Sequence, residues 1–132
     1  INFVNSTTPI DVGNLLELIN LGTHNSKFAK ELQTTPELCS LAINIMLSQK
    51  LNEHIPRKLS HKIKIAHKTG GYNTGYSDCG IVYPPKHKEF IICLYTDKVP
   101  EYLSNGEGGR YRASNIMGSI SLECYKFATQ NI

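Results

Sequence analysis

Apolar residues recur at helical spacing twice within the first fifty positions. Val12, Leu15, Leu16 and Ile19 form one stripe, and Leu38, Leu41, Ala42, Ile45 and Met46 form a second that continues to about residue 50. Both follow the same start device, Thr8-Pro9-Ile10-Asp11 and Thr35-Pro36-Glu37. In each, threonine suits the N-cap, proline suits the first helical position, and an acid in the first turn favours the positive end of the helix dipole. Gly22 stops the first helix, and the polar run 23–26 reads as a linker that does not extend it. Residues 52–60 read as a connection, with Pro56 biasing Ile55 away from helix.

From residue 62 the pattern changes to that of strands. Residues 62–69 predict a first strand, 70–77 a polar glycine- and asparagine-rich turn, and 78–83 a second strand stopped by Pro84-Pro85. A charged tip, Lys86-His87-Lys88, leads to a third strand over 89–96. Short connections make the three an antiparallel meander. Residues 97–110 read as loop, and 111–128 as a last helix with Ala113, Ile116, Met117, Ile120, Cys124 and Phe127 on one stripe that should cover the sheet. The expected class is α+β: a three-stranded antiparallel sheet covered by a C-terminal helix, plus two N-terminal helices. One unit is expected, with a helical part over 1–52 and the sheet and terminal helix over 53–132.

Composition narrows the function classes. The 132 residues suit one domain with its own core, and 40% hydrophobic with 19% charged residues is a globular balance. The net charge of +3 is scattered, densest over 57–68, and reads as solvated loop and strand edge, with no nucleic-acid surface expected. No apolar run reaches the ~18 residues of a membrane span, and no signal peptide is visible. The chain opens at Ile1 without an initiator methionine, which suggests a processed or truncated product. Cys39, Cys79, Cys93 and Cys124 are too far apart for a Cys-x-x-Cys site and read as buried free thiols, with a disulfide the alternative if the protein is exported. Simple pairing of the second and third strands puts Cys79 and Cys93 on opposite faces, against a bridge between them. The five histidines are dispersed without ligand spacing, so neither metal nor cofactor is expected. Gly106-Glu107-Gly108-Gly109 follows no strand-to-helix unit and is no phosphate cradle.

The chemistry concentrates at Ile63-Lys64-Ile65-Ala66-His67-Lys68-Thr69-Gly70-Gly71. Alternation sends Lys68 to the face opposite His67 and Thr69, unless the glycines bend the edge. A cation, a hydroxyl and open backbone donors at one strand end suit a carboxylate-bearing substrate with a polarised carbonyl.

Several segments in order then carry a resemblance. Thr7-Thr8-Pro9 opening a helix, Ile55-Pro56, His67-Lys68-Thr69-Gly70, and Asp78-Cys79-Gly80-Ile81-Val82-Tyr83 are followed by a third strand and a terminal helix. Together they resemble the C-terminal half of a class A β-lactamase and are similar to the penicillin-binding D,D-peptidases that share its fold. The resemblance implies that Lys68 sits beside the nucleophile and attracts the substrate carboxylate, and that the Thr69 hydroxyl hydrogen-bonds that carboxylate. It implies that Gly70 leaves room for substrate and that the Gly71 N–H supplies one oxyanion-hole donor. Asp78 matches a structural acid. Export to the periplasm or outside is implied by the resemblance alone.

The departures shape the expectation. No serine has lysine three positions later, and Ser77-Asp78-Cys79 only approaches Ser-Asp-Asn. No arginine occurs over 71–77, so Arg57 or Arg110 would have to serve as a second carboxylate anchor. The expected parent activity is serine hydrolysis of β-lactams through an acyl-enzyme, with this chain inactive alone. A D-Ala-D-Ala peptidase or transpeptidase fragment and a non-catalytic binding module of the same fold are the alternatives. A β-lactam or D-Ala-D-Ala-type peptide is the expected ligand. The missing N-terminal half, or a second copy of the chain, is the expected partner, packing on apolar surface left open on the first two helices.

Overall fold

The computed structural model describes residues 6–130. Its elements are α1 (Pro9–Gly22), α2 (Ser26–Glu31), α3 (Pro36–Leu47), a 3-10 turn (Ile55–Lys58), β1 (Lys64–Tyr72), β2 (Gly75–Tyr83), β3 (Phe90–Tyr95) and α4 (Gly109–Thr129). The two Thr-Pro starts act as caps: Thr8 Oγ1 accepts from the Asp11 N–H at 3.2 Å and Thr35 Oγ1 from the Leu38 N–H at 3.4 Å. Helix α2 was not anticipated. Its N-cap, Asn25, accepts from the Lys27 N–H at 2.9 Å, a device that the reading of 23–26 as plain linker overlooked.

The three strands form one antiparallel sheet in the order β1-β2-β3, which leaves β1 at an edge. Strand β1 runs three residues beyond Thr69, so the expected turn over 70–77 is instead a two-residue loop, Asn73-Thr74, with Asn73 at φ 52°. Asparagine tolerates that left-handed backbone, and a cross-strand ladder outweighs the strand-breaking tendency of glycine.

Two apolar layers sandwich the sheet. On one face Leu16 and Ile43, from α1 and α3, meet Ala66, Cys79 and Ile81. On the other, Ile55 of the 3-10 turn meets Ile65, Val82 and Ile92, with Cys124 and Tyr125 of α4 at its margin. Helix α4 thus covers the sheet largely through the 3-10 turn, and its buried face is small-sided: Ala113, Ser114, Met117, Gly118 and Ser121. Ile116, Ile120 and Phe127 of the expected stripe are exposed, because the close approach of Gly118 to Arg57 and His54 selects the neighbouring face. On α3 the buried residues are Cys39 and Ile43, while Leu38, Leu41 and Ile45 stand 54%, 52% and 64% exposed. The apolar surface expected on the first helices is therefore present, as a stripe along the outer side of α3.

Candidate functional site

The site is built on the open edge of β1. Pairing of Lys68 with Cys79 and of Ala66 with Ile81 puts Lys68 on the α1/α3 face, whereas His67 and Thr69 belong to the α4 face. Lys68 is exposed at the mouth of two grooves, one shared with the C-terminal end of α3. The other is a cleft of about 630 Å³ whose walls include His54, Lys68, Thr69, Gly71, Tyr76 and Arg110. The Lys68 ammonium donates to the carbonyl of Thr69.

The two-residue loop also decides where the backbone donors point. With only Asn73 and Thr74 between them, Tyr72 and Gly75 must be the hydrogen-bonded closing pair of the hairpin. Alternation then leaves Gly71 and Thr69 unbonded to β2, with their N–H groups turned to the open edge. Gly70 faces Ser77 across the ladder, and a Cβ there would stand 2.6 Å from Ser77 Oγ.

Behind this edge lies a buried polar network. His67 Nδ1–H donates to Asp78 Oδ1 at 2.9 Å, and His67 Nε2 lies 3.1 Å from the Asn52 side-chain oxygen. Asp78 also accepts from the Ile55 N–H at 3.0 Å. One carboxylate thereby ties the start of the 3-10 turn to the strand that carries Lys68, a structural role of the kind expected for Asp78.

Of the two arginines considered as a carboxylate anchor, the structure brings only Arg110 to the cleft. Arg110 donates to Glu53 Oε2 at 3.0 Å and lies 5.8 Å from the centre of the Tyr76 ring. Arg57 turns to α4, donating to Asn115 Oδ1 at 3.0 Å and stacking on Tyr111. His54 was missed from the sequence, where it was one of five dispersed histidines. It is buried at the cleft wall, with Ser114 Oγ 3.1 Å from its Nδ1.

Burial holds the His54 pKa below its ordinary value, against opposing contributions from Asp78 and Glu53. A folded pKa lowered in this way contributes stability that is complete above the unfolded value, about 6.5, and is lost as pH falls through the folded one. The His54→Asn variant should therefore lose less stability between pH 7 and pH 5 than the parent chain, measured by urea midpoint. Equal losses in the two proteins would contradict this assignment.

Among the described residues no three His, Cys, Asp or Glu side chains converge to hold a metal ion, and no helix is long and apolar enough to cross a membrane.

Comparison with known proteins agrees with this architecture. The structure of PBP-A superposes with a TM-score of 0.73 at 22% identity, covering 94% of this chain and 40% of that one. A PBP-A variant captured as an acyl-enzyme with penicillin G gives 0.74 over the same shares at 22% identity. A β-lactamase from Sphaerobacter thermophilus also gives 0.74, at 16% identity, covering 96% of this chain and 42% of that one. The chain thus spans about 40% of the length of these structures. No curated protein matches it. The profile of the β-lactamase enzyme family matches residues 2–128, nearly the whole sequence, and the chain belongs to that family.

Proposed function

We propose that this chain is the strand-bearing half of a class A-type serine hydrolase that opens β-lactams through an acyl-enzyme. The observation that carries the reading is the open edge of β1, where Lys68, Thr69 and the outward Gly71 N–H border one cleft. In this reading the nucleophilic serine and its base come from outside these 132 residues. The base takes the serine proton as the serine oxygen bonds to the lactam carbonyl carbon, and the ring nitrogen gains a proton as its bond to that carbon breaks. The Gly71 N–H and the nucleophile's own N–H stabilise the oxyanion that forms between those events. Lys68 attracts the substrate carboxylate, Thr69 donates to it, Gly70 keeps the strand edge free of a side chain, and Arg110 is the second anchor once Glu53 releases it. The exposed α3 stripe is the seat of the complementary helical half, and the whole enzyme works in the periplasm or outside the cell.

A nitrocefin-type assay tests this. The chain alone should show no turnover. Mixed or fused with a family segment that supplies Ser-x-x-Lys, it should hydrolyse the lactam, and Lys68→Ala should lower kcat/KM by a factor of about 10²–10³. Turnover by the chain alone, or an indifferent Lys68→Ala, would refute the reading. The likeness to PBP-A favours a second one, a D-Ala-D-Ala peptidase or transpeptidase. The reconstituted protein would then be acylated stoichiometrically by penicillin without sustained hydrolysis.

A further inference from the structure

The structure reverses the expectation that Cys79 and Cys93 face opposite ways. They are direct partners across β2 and β3, and residues paired in this way share a face. The connection over 84–89 sets Val82 against Phe90, and every later pair follows from that register.

The kind of pair also follows. The Thr96 N–H donates to the Tyr76 carbonyl at 2.8 Å, which makes those two a hydrogen-bonded pair one step beyond Ser77 and Tyr95. Alternation along the ladder then makes Cys79 and Cys93 a non-hydrogen-bonded pair. Such pairs bring their Cα atoms to about 4.5 Å and their side chains closer than in the other kind, inside the span a disulfide bridges. On that shared face Cys93 packs against the apolar cluster that holds Cys79. Both are free, Cys79 is 5% exposed, and Cys93 is partly open.

We propose that Cys79 and Cys93 are a disulfide-forming pair that covalently joins β2 to β3 when the chain meets a disulfide oxidant. The Cys93 thiolate, the more accessible one, attacks a sulfur of oxidised glutathione and releases one glutathione thiolate. The Cys79 thiolate then attacks the Cys93 sulfur of the mixed disulfide and releases the second. Two protons and two electrons leave the pair, and one oxidised glutathione becomes two thiols. Burial pushes the Cys79 thiol up to about 12 and raises that of Cys93 as well, so closure in the folded chain is slow. The bond forms fastest during refolding, before Cys79 is covered. Neither cysteine takes part in the proposed hydrolase chemistry.

The test is to refold the reduced full chain in a glutathione redox buffer, block free thiols by alkylation, and map the peptides without reduction. The expected product is a single species lighter by two hydrogens, with one peptide pair joined through Cys79 and Cys93 and with Cys39 and Cys124 alkylated. Oxidation should raise Tm by roughly 5 °C or more, and Cys79→Ser and Cys93→Ser should each abolish both changes. Recovery of both cysteines as alkylated or glutathionylated residues, or a bridge to Cys39 or Cys124, would overturn the proposal. So would an oxidised Cys79→Ser chain that still gains the two-hydrogen loss.

Discussion

Replacing Asp78 with alanine should cost about 2–6 kcal/mol of stability, since two buried donors lose their acceptor at about 1–3 kcal/mol each. The carboxylate is fully buried and accepts from both His67 and the Ile55 backbone. Without it an imidazole N–H and a peptide N–H are left facing apolar atoms, and each unmet donor adds its own desolvation penalty. The coupling is as informative as the total. His67→Ala should cost less after Asp78 has gone than before, because the two deletions remove one shared contact. Urea unfolding of the two single variants and the double variant measures this cycle. A loss under about 1 kcal/mol for Asp78→Ala, or strict additivity, would show that the network does not act as one unit.

The second large effect is expected at Gly109, the first residue of α4. A Cβ there would overlap the carbonyl oxygen of Pro100 and stand 3.0 Å from Val99 Cγ1. The same backbone is held by a 2.9 Å hydrogen bond from the Gly109 N–H to the Glu101 carbonyl. Neither strand of chain can yield without losing that bond, so Gly109→Ala should destabilise by about 3 kcal/mol, the upper part of the range for overpacking. Gly108→Ala is the control, since its Cβ would meet nothing within 4 Å. Calorimetric melting should separate the two clearly, and near-equal Tm values would remove the steric argument. The position matters beyond stability. Arg110 follows directly, and a displaced helix start would carry its guanidinium off the cleft wall.

These two residues show how unevenly the sequence announces its contents. Asp78 stood in a recognisable segment as a structural acid, yet its partners, one eleven positions away and one on the 3-10 turn, follow from pairing that no local pattern encodes. Gly109 lay in a glycine-rich run whose members look alike on paper. Only the path of Pro100 against the helix start distinguishes it from Gly108.

The same division holds across the molecule. Read as sequence, the chain determines its local devices: two threonine caps with proline behind them, the strand content from residue 62 onward, and the order of segments that marks the family. These depend on contacts within a few residues, so composition and spacing suffice. The tertiary structure alone decided the long-range matters. It set the register that makes Cys79 and Cys93 neighbours, and it chose the small-sided face of α4 over the stripe of Ile116, Ile120 and Phe127. It also brought Arg110 to the cleft beside Lys68 while turning Arg57 away. Each is settled by how whole faces pack, where a shift of one residue inverts a strand and a rotation of one position re-aims a helix.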